Sequence, residues 1–139
     1  VILIPPHGRC RGGTISTSTD ETHQKQPRKA TDDPIIWICS AMKGANADID
    51  VLLRGNAVNY AIKAQDASGL SFGGQAQTQP PRIADDLVRL KGNGVNIYVV
   101  DDALRERGIE PGELIDGLDF VPRSKLAKLF GGYDQVWHW

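Results

Sequence analysis

The stretch Gly94 to Ile109, GVNIYVVDDALRERGI, decides how the rest of the chain is read. Val95, Ile97 and Val99 alternate with Asn96, Tyr98 and Val100, a β-branched and aromatic run bounded by Gly94 and Asp101. That period of two marks a buried strand. Asp101 and Asp102 follow where free backbone amides and the positive end of a helix dipole favour carboxylates. The pair is therefore expected to cap a short basic helix that stops at Gly108. Two carboxylates at a strand exit also suit a hard divalent cation, but capping explains them without a metal. Arg105 and Arg107 either line this edge or face solvent.

Working outward, Val1 to Ile4 is a short apolar run ended by Pro5-Pro6, which cannot continue a strand interior. It reads as a first strand. From Gly8 to Asp33 the chain turns polar, with little that can be buried, and a loop or insertion at about 9–33 is expected there. Asp33-Pro34 is a helix entrance, an acidic cap followed by proline at the first helical position. Ile35, Ile38, Cys39, Met42 and Ala45 then share one helical face. Ile49, Val51 and Leu53 alternate in a second strand ending at Gly55, and Asn56 is expected to cap a helix over Ala57 to Gln65. Asp66 to Gln79 reads as a glycine-containing loop.

Pro81 opens a helix with Ile83, Leu87 and Leu90 inward and Arg82, Asp85, Asp86 and Arg89 toward water. Beyond Ile109, a helical turn at Pro111 to Gly117, a strand at Leu118 to Val121, a helix at Ser124 to Phe130 and a closing strand at Tyr133 to Trp139 complete the order. Alternating strands and helices predict one α/β domain over residues 1–139, a three-layer, mainly parallel five-stranded sheet flanked by helices. In such sheets the loops leaving the carboxyl ends of the strands gather along the ligand-binding edge. If the first and central strands are adjacent, the loops after Ile4 and Val100 become neighbours.

The central strand, its short helix ending in Arg107-Gly108-Ile109, and Glu113-Leu114-Ile115-Asp116-Gly117 before a closing strand together resemble the DsrE/F-like family. Asp50 to Val58 followed by Ala61 to Gln65 looks like that family's second strand and helix, and Val1 to Gly8 is similar to its first strand and loop. The resemblance covers Asp48 to the C terminus and the opening eight residues, but not Arg9 to Lys29. It implies a small α/β subunit, commonly trimeric or hexameric, of a protein relay that passes sulfur as cysteine persulfide. The family's reactive cysteine usually lies between the central strand and the Arg-Gly-Ile turn. Here the matching positions hold Val100 and Ala103, and no cysteine follows Cys39.

Chemistry therefore points to the only other cysteine. Cys10 sits in Gly8-Arg9-Cys10-Arg11-Gly12-Gly13-Thr14, between two arginines that favour thiolate over thiol, among glycines whose amides can converge on an anion. Cys10-Arg11-Gly12-Gly13 also resembles the start of the rhodanese cysteine loop. Cys10 is the candidate persulfide-bearing nucleophile; Arg9, Arg11, Gly12, Gly13, His7, Asp101, Asp102 and Arg105 are candidate binding residues, His7 as proton acceptor. The bland alternative is an ordinary exposed thiol. The loop lacks the lysine and full glycine spacing of a Walker loop, so a small anion suits it better than a hydrolysed nucleotide. Cys39, on an apolar helix face, reads as core.

The histidines at 7, 23 and 138 are too scattered to spell a metal site, and neither metal nor cofactor is expected. A formal net charge of -1 and a pI near 6.3 give no global attraction to nucleic acid. Two cysteines suit reduced thiols in a cytoplasm better than a disulfide framework. No apolar run reaches the roughly 20 residues needed to cross a bilayer. The reading is a cytoplasmic homo-oligomeric subunit associated with persulfide transfer; the alternatives are a catalytically silent binding or scaffold subunit of the same fold, or a small-anion or nucleotide binder.

Overall fold

The computed structural model describes residues 1–6, 33–65, 71–76 and 81–139. Its five-stranded sheet has the order β6-β5-β2-β1-β7, built from β1 (Ile2–Ile4), β2 (Asp50–Leu53), β5 (Ile97–Val100), β6 (Asp119–Val121) and β7 (Gln135–Trp137). A separate hairpin joins β3 (Ser71–Phe72) to β4 (Gln75–Ala76) through Gly73-Gly74, both with positive φ. The helices are α1 (Pro34–Gly44), α2 (Ile83–Gly92), α3 (Asp101–Arg105) and α4 (Leu126–Phe130). No described helix is long and apolar enough to cross a membrane.

The sheet is mixed but mostly parallel. β2, β5 and β6 pair in parallel, and β1 pairs antiparallel with both β2 and β7. Four strands thus point one way and β1 alone runs against them. This corrects the expected neighbourhood of the first and central strands: β2 stands between them, and β1 delivers its carboxyl end to the opposite edge. The crossover rule sets a strand's direction where one helix returns the chain; the long segment between Pro5 and α1 removes that constraint from β1.

Side chains alternate along a strand, so the register puts Leu3, Asp50, Leu52, Tyr98 and Val121 on one face and Ile2, Val51, Leu53, Ile97 and Val99 on the other. Residues 126–133 cover the first face, because the Tyr133 hydroxyl donates to Asp50 Oδ2 at 2.6 Å and lies 3.4 Å from the Tyr98 hydroxyl. On the second face α1 packs on α2, and α2 on a 3₁₀ turn at Gly55–Ala61 that also meets β2 and β5. The helices flank the sheet, consistent with three layers. Leu52, Val58, Leu87, Ile97, Val99 and Leu104 are fully buried in the resulting core.

α1 begins as its sequence dictates. Asp33 Oδ1 accepts from the amides of Ile35 (2.8 Å) and Ile36 (3.1 Å), with Pro34 at the first helical position. Its buried side is Ile36 and Cys39, with Ile35, Ile38 and Met42 half-buried and Ala45 exposed. Replacing the cap by alanine, Asp33→Ala, is expected to lower stability by about 1 kcal/mol, measured by urea unfolding.

Two local readings change. Residues 55–61 form the 3₁₀ turn instead of a longer α-helix. Arg54 occupies its N-cap position, and Asn56 accepts a hydrogen bond from Arg107 instead of capping. Asp86, expected in water, is buried and paired with Arg89 three residues on; helical spacing alone does not reveal that its side of α2 faces the core.

Candidate functional site at the carboxyl edge of the sheet

Three parallel strands end together, and their exits shape a recess of about 150 Å³ lined by Arg54, Gly55, Val100, Ala103, Arg123 and Leu126. Each residue arrives for a local reason. Gly55 turns the chain at the end of β2 with φ +57°, a left-handed conformation natural to glycine. Val100 ends the apolar run of β5, and Ala103 lies one turn into α3. Arg123 follows β6 after Pro122, and Leu126 opens α4.

The walls are tied together by polar contacts. Arg123 donates its backbone N–H to Asp102 Oδ2 at 2.5 Å and its Nη2 to Glu106 Oε1 at 2.6 Å, joining the exits of β5 and β6. Arg107 donates Nη1 to the Ala103 carbonyl at 3.0 Å and Nη2 to Asn56 Oδ1 at 2.7 Å, fastening α3 to the 3₁₀ turn. Arg54 forms no hydrogen bond or ion pair with another described residue. Its guanidinium is the one on the recess whose donors are not committed to a described partner.

The acidic pair behaves differently from the expectation. α3 starts at Asp101, with Val100 in the N-cap position and no side-chain cap. Both carboxylates lie within the first turn, where the dipole still favours them. Asp101 pairs instead with Arg105 one turn on, and Asp102 serves the Arg123 amide. That amide above all, with the charges of Arg123 and Arg105, holds the Asp102 carboxyl below its ordinary value of 3.8.

A lowered folded value stabilises the protein above the unfolded value and loses that contribution as pH falls through the folded one. Asp102→Asn is therefore expected to be less stable than wild type at neutral pH. The two should converge as pH falls below 3.8 through the lowered folded value, as measured by thermal unfolding across the acid range.

The candidate site residues divide three ways. Asp102 does not line the recess but accepts from the amide of Arg123, which does; Asp101 and Arg105 pair beside it on the exposed side of α3. His7, Arg9, Cys10, Arg11, Gly12 and Gly13 lie outside the described residues. Arg54 and Arg123 were not among the residues singled out from the sequence. Their one sequence signal is position, an arginine one or two places beyond the end of an alternating apolar run. Among the described residues no three of His, Cys, Asp and Glu gather as a metal-ligand set.

Cys39 is fully buried in α1, and burial pushes its thiol up to about 11. At pH 8 it is almost wholly protonated, so alkylation by iodoacetamide is expected to be at least a hundredfold slower than for a free thiol unless the protein unfolds, a rate read by mass spectrometry.

The mixed, mostly parallel sheet flanked by helices agrees with the comparison against family models. The DsrE/DsrF-like family model matches residues 22–137, most of the chain. No curated protein matches it. The chain belongs to the DsrE/DsrF-like family.

Proposed function

We propose that this protein is a cytoplasmic, homo-oligomeric subunit of a sulfur relay that holds a small sulfur anion in the carboxyl-edge recess without supplying a nucleophile there. Family membership suggests the sulfur-relay connection. The observation that carries the reading is the lining: Arg54 and Arg123 border one recess with Val100 and Ala103, the two positions that the sequence resemblance sets against the family's usual cysteine. A guanidinium is permanently charged and offers several donors to an oxyanion. A volume of about 150 Å³ suits thiosulfate or a persulfide terminus and falls short of the roughly 300 Å³ at which sites for larger organic ligands begin. That size weighs against a nucleotide.

A second reading rests on elimination. The chain has two cysteines, and Cys39 is buried with a thiol raised to about 11, which leaves Cys10 as the thiol suited to carry sulfur. Its thiolate would attack the outer sulfur of thiosulfate. A new S–S bond forms as the old one breaks, and sulfite leaves with the electron pair. In this reading Arg9 and Arg11 keep Cys10 ionised.

Intact-mass measurement after incubation with thiosulfate separates the two. The leading reading expects no gain of one sulfur in the isolated protein. A 32 Da gain that disappears in Cys10→Ala replaces it with the second. A gain that survives Cys10→Ala removes the Cys10 assignment.

A further inference from the structure

Away from the recess, the segment 126–133 leaves a larger cleft of about 490 Å³ on the same face of the sheet, reaching from Val121 at the end of β6 toward Pro5 beyond β1. We propose that this cleft binds a small organic acid with an apolar body, its carboxylate held by Lys125 and Lys128. The volume lies within the range of small-molecule sites. Pro5, Val121 and Leu129 supply apolar wall. Tyr133 adds its ring, because its hydroxyl is already committed to Asp50 at 2.6 Å.

The charge on the cleft is asymmetric. Lys125 and Lys128 both line it, three residues apart and so on one side of the helical segment. Neither forms an ion pair with a described residue. Their aliphatic stems extend the apolar wall while the ammonium groups stay at the lip. Asp48 is the single carboxylate among the described lining residues, and the antiparallel register of β1 and β2 sets it opposite Pro5. It disfavours a second acid group at that end, so the geometry selects a monoacid, head toward the lysines and tail toward Pro5. A dicarboxylate of equal length would place one anion against Asp48.

Isothermal titration calorimetry with octanoate, octanedioate and octylamine tests this. Octanoate is expected to bind saturably, octanedioate about tenfold more weakly, and octylamine weakest of the three. The double variant Lys125→Glu/Lys128→Glu changes only exposed side chains and should weaken octanoate by roughly tenfold or more. Val121→Trp, which fills the cleft from a half-buried position, should abolish binding with an unchanged circular dichroism spectrum. Arg54→Ala, at the recess, should leave octanoate untouched, so failure of the recess reading would not imitate failure here.

No octanoate binding to the wild type overturns the proposal. So does equal affinity for octanoate and octylamine, affinity indifferent to the lysine reversal, or sedimentation showing that the lysine variant only dissociates an oligomer covering the cleft.

Discussion

Alanine at Asp50 is expected to cost about 3 kcal/mol of unfolding free energy, the largest effect predicted for a single polar substitution in the described structure. Asp50 opens β2 and is 2% exposed. Its Oδ1 accepts from the Asn96 amide at 3.1 Å and from Asn96 Nδ2 at 2.7 Å, while Oδ2 accepts from the Tyr133 hydroxyl at 2.6 Å. One carboxylate thus links β2, the entrance to β5 and the segment after α4. Removing it strands donors that water reaches poorly, so their desolvation cost remains with no bond to offset it.

Tyr133→Phe deletes one of these bonds and should cost about 1 kcal/mol. Burial first, then the bond to Asp50, raises the Tyr133 phenol well above its usual range. Its hydroxyl therefore remains a donor throughout the neutral and mildly alkaline range. Urea unfolding of the two single variants and the double variant gives the coupling directly. A double variant no worse than Asp50→Ala alone is the expected result.

The second large effect concerns the recess. Arg54→Ala is expected to weaken thiosulfate binding about tenfold, and Arg54→Ala/Arg123→Ala about a hundredfold, because each charged donor to an oxyanion contributes on that scale. Arg54 is the cleaner probe. It has no described partner to lose, whereas Arg123 also gives up its contact with Glu106. Arg54→Lys should recover part of the affinity, since a point charge lacks the planar fork. Calorimetry on the folded variants measures all three. Unaltered affinity in Arg54→Ala would place any anion site elsewhere.

What could be read from the chain, and what could not, follows the range of each interaction. The strand at Ile97–Val100 and the turn at Gly108, with φ +65°, were written locally in alternation and glycine. So was α1, through Asp33 and Pro34. The direction of β1 was not, because it depends on pairing with residues 50–51 and 135–137, far away in sequence. Asp86 looked like a surface residue until the packing of α2 enclosed it.

The site was half legible for the same reason. The strand exit at Val100 and Ala103 marked the edge where the recess lies, and family resemblance pointed to the same edge. The arginines at 54 and 123 join it only when three strands stand side by side and end at one level. The shared pocket expected for the loops after Ile4 and Val100 required β1 beside β5, and β2 occupies that place.

In the proposed function, the carboxyl ends of β2, β5 and β6 form the anion-binding recess. Titrating thiosulfate into isotopically labelled protein and following backbone amides by NMR tests it most directly. Saturable shifts centred on Arg54, Gly55, Ala103 and Arg123 are expected, largely lost in Arg54→Ala. Shifts absent from these four amides, or unchanged in that variant, would contradict it.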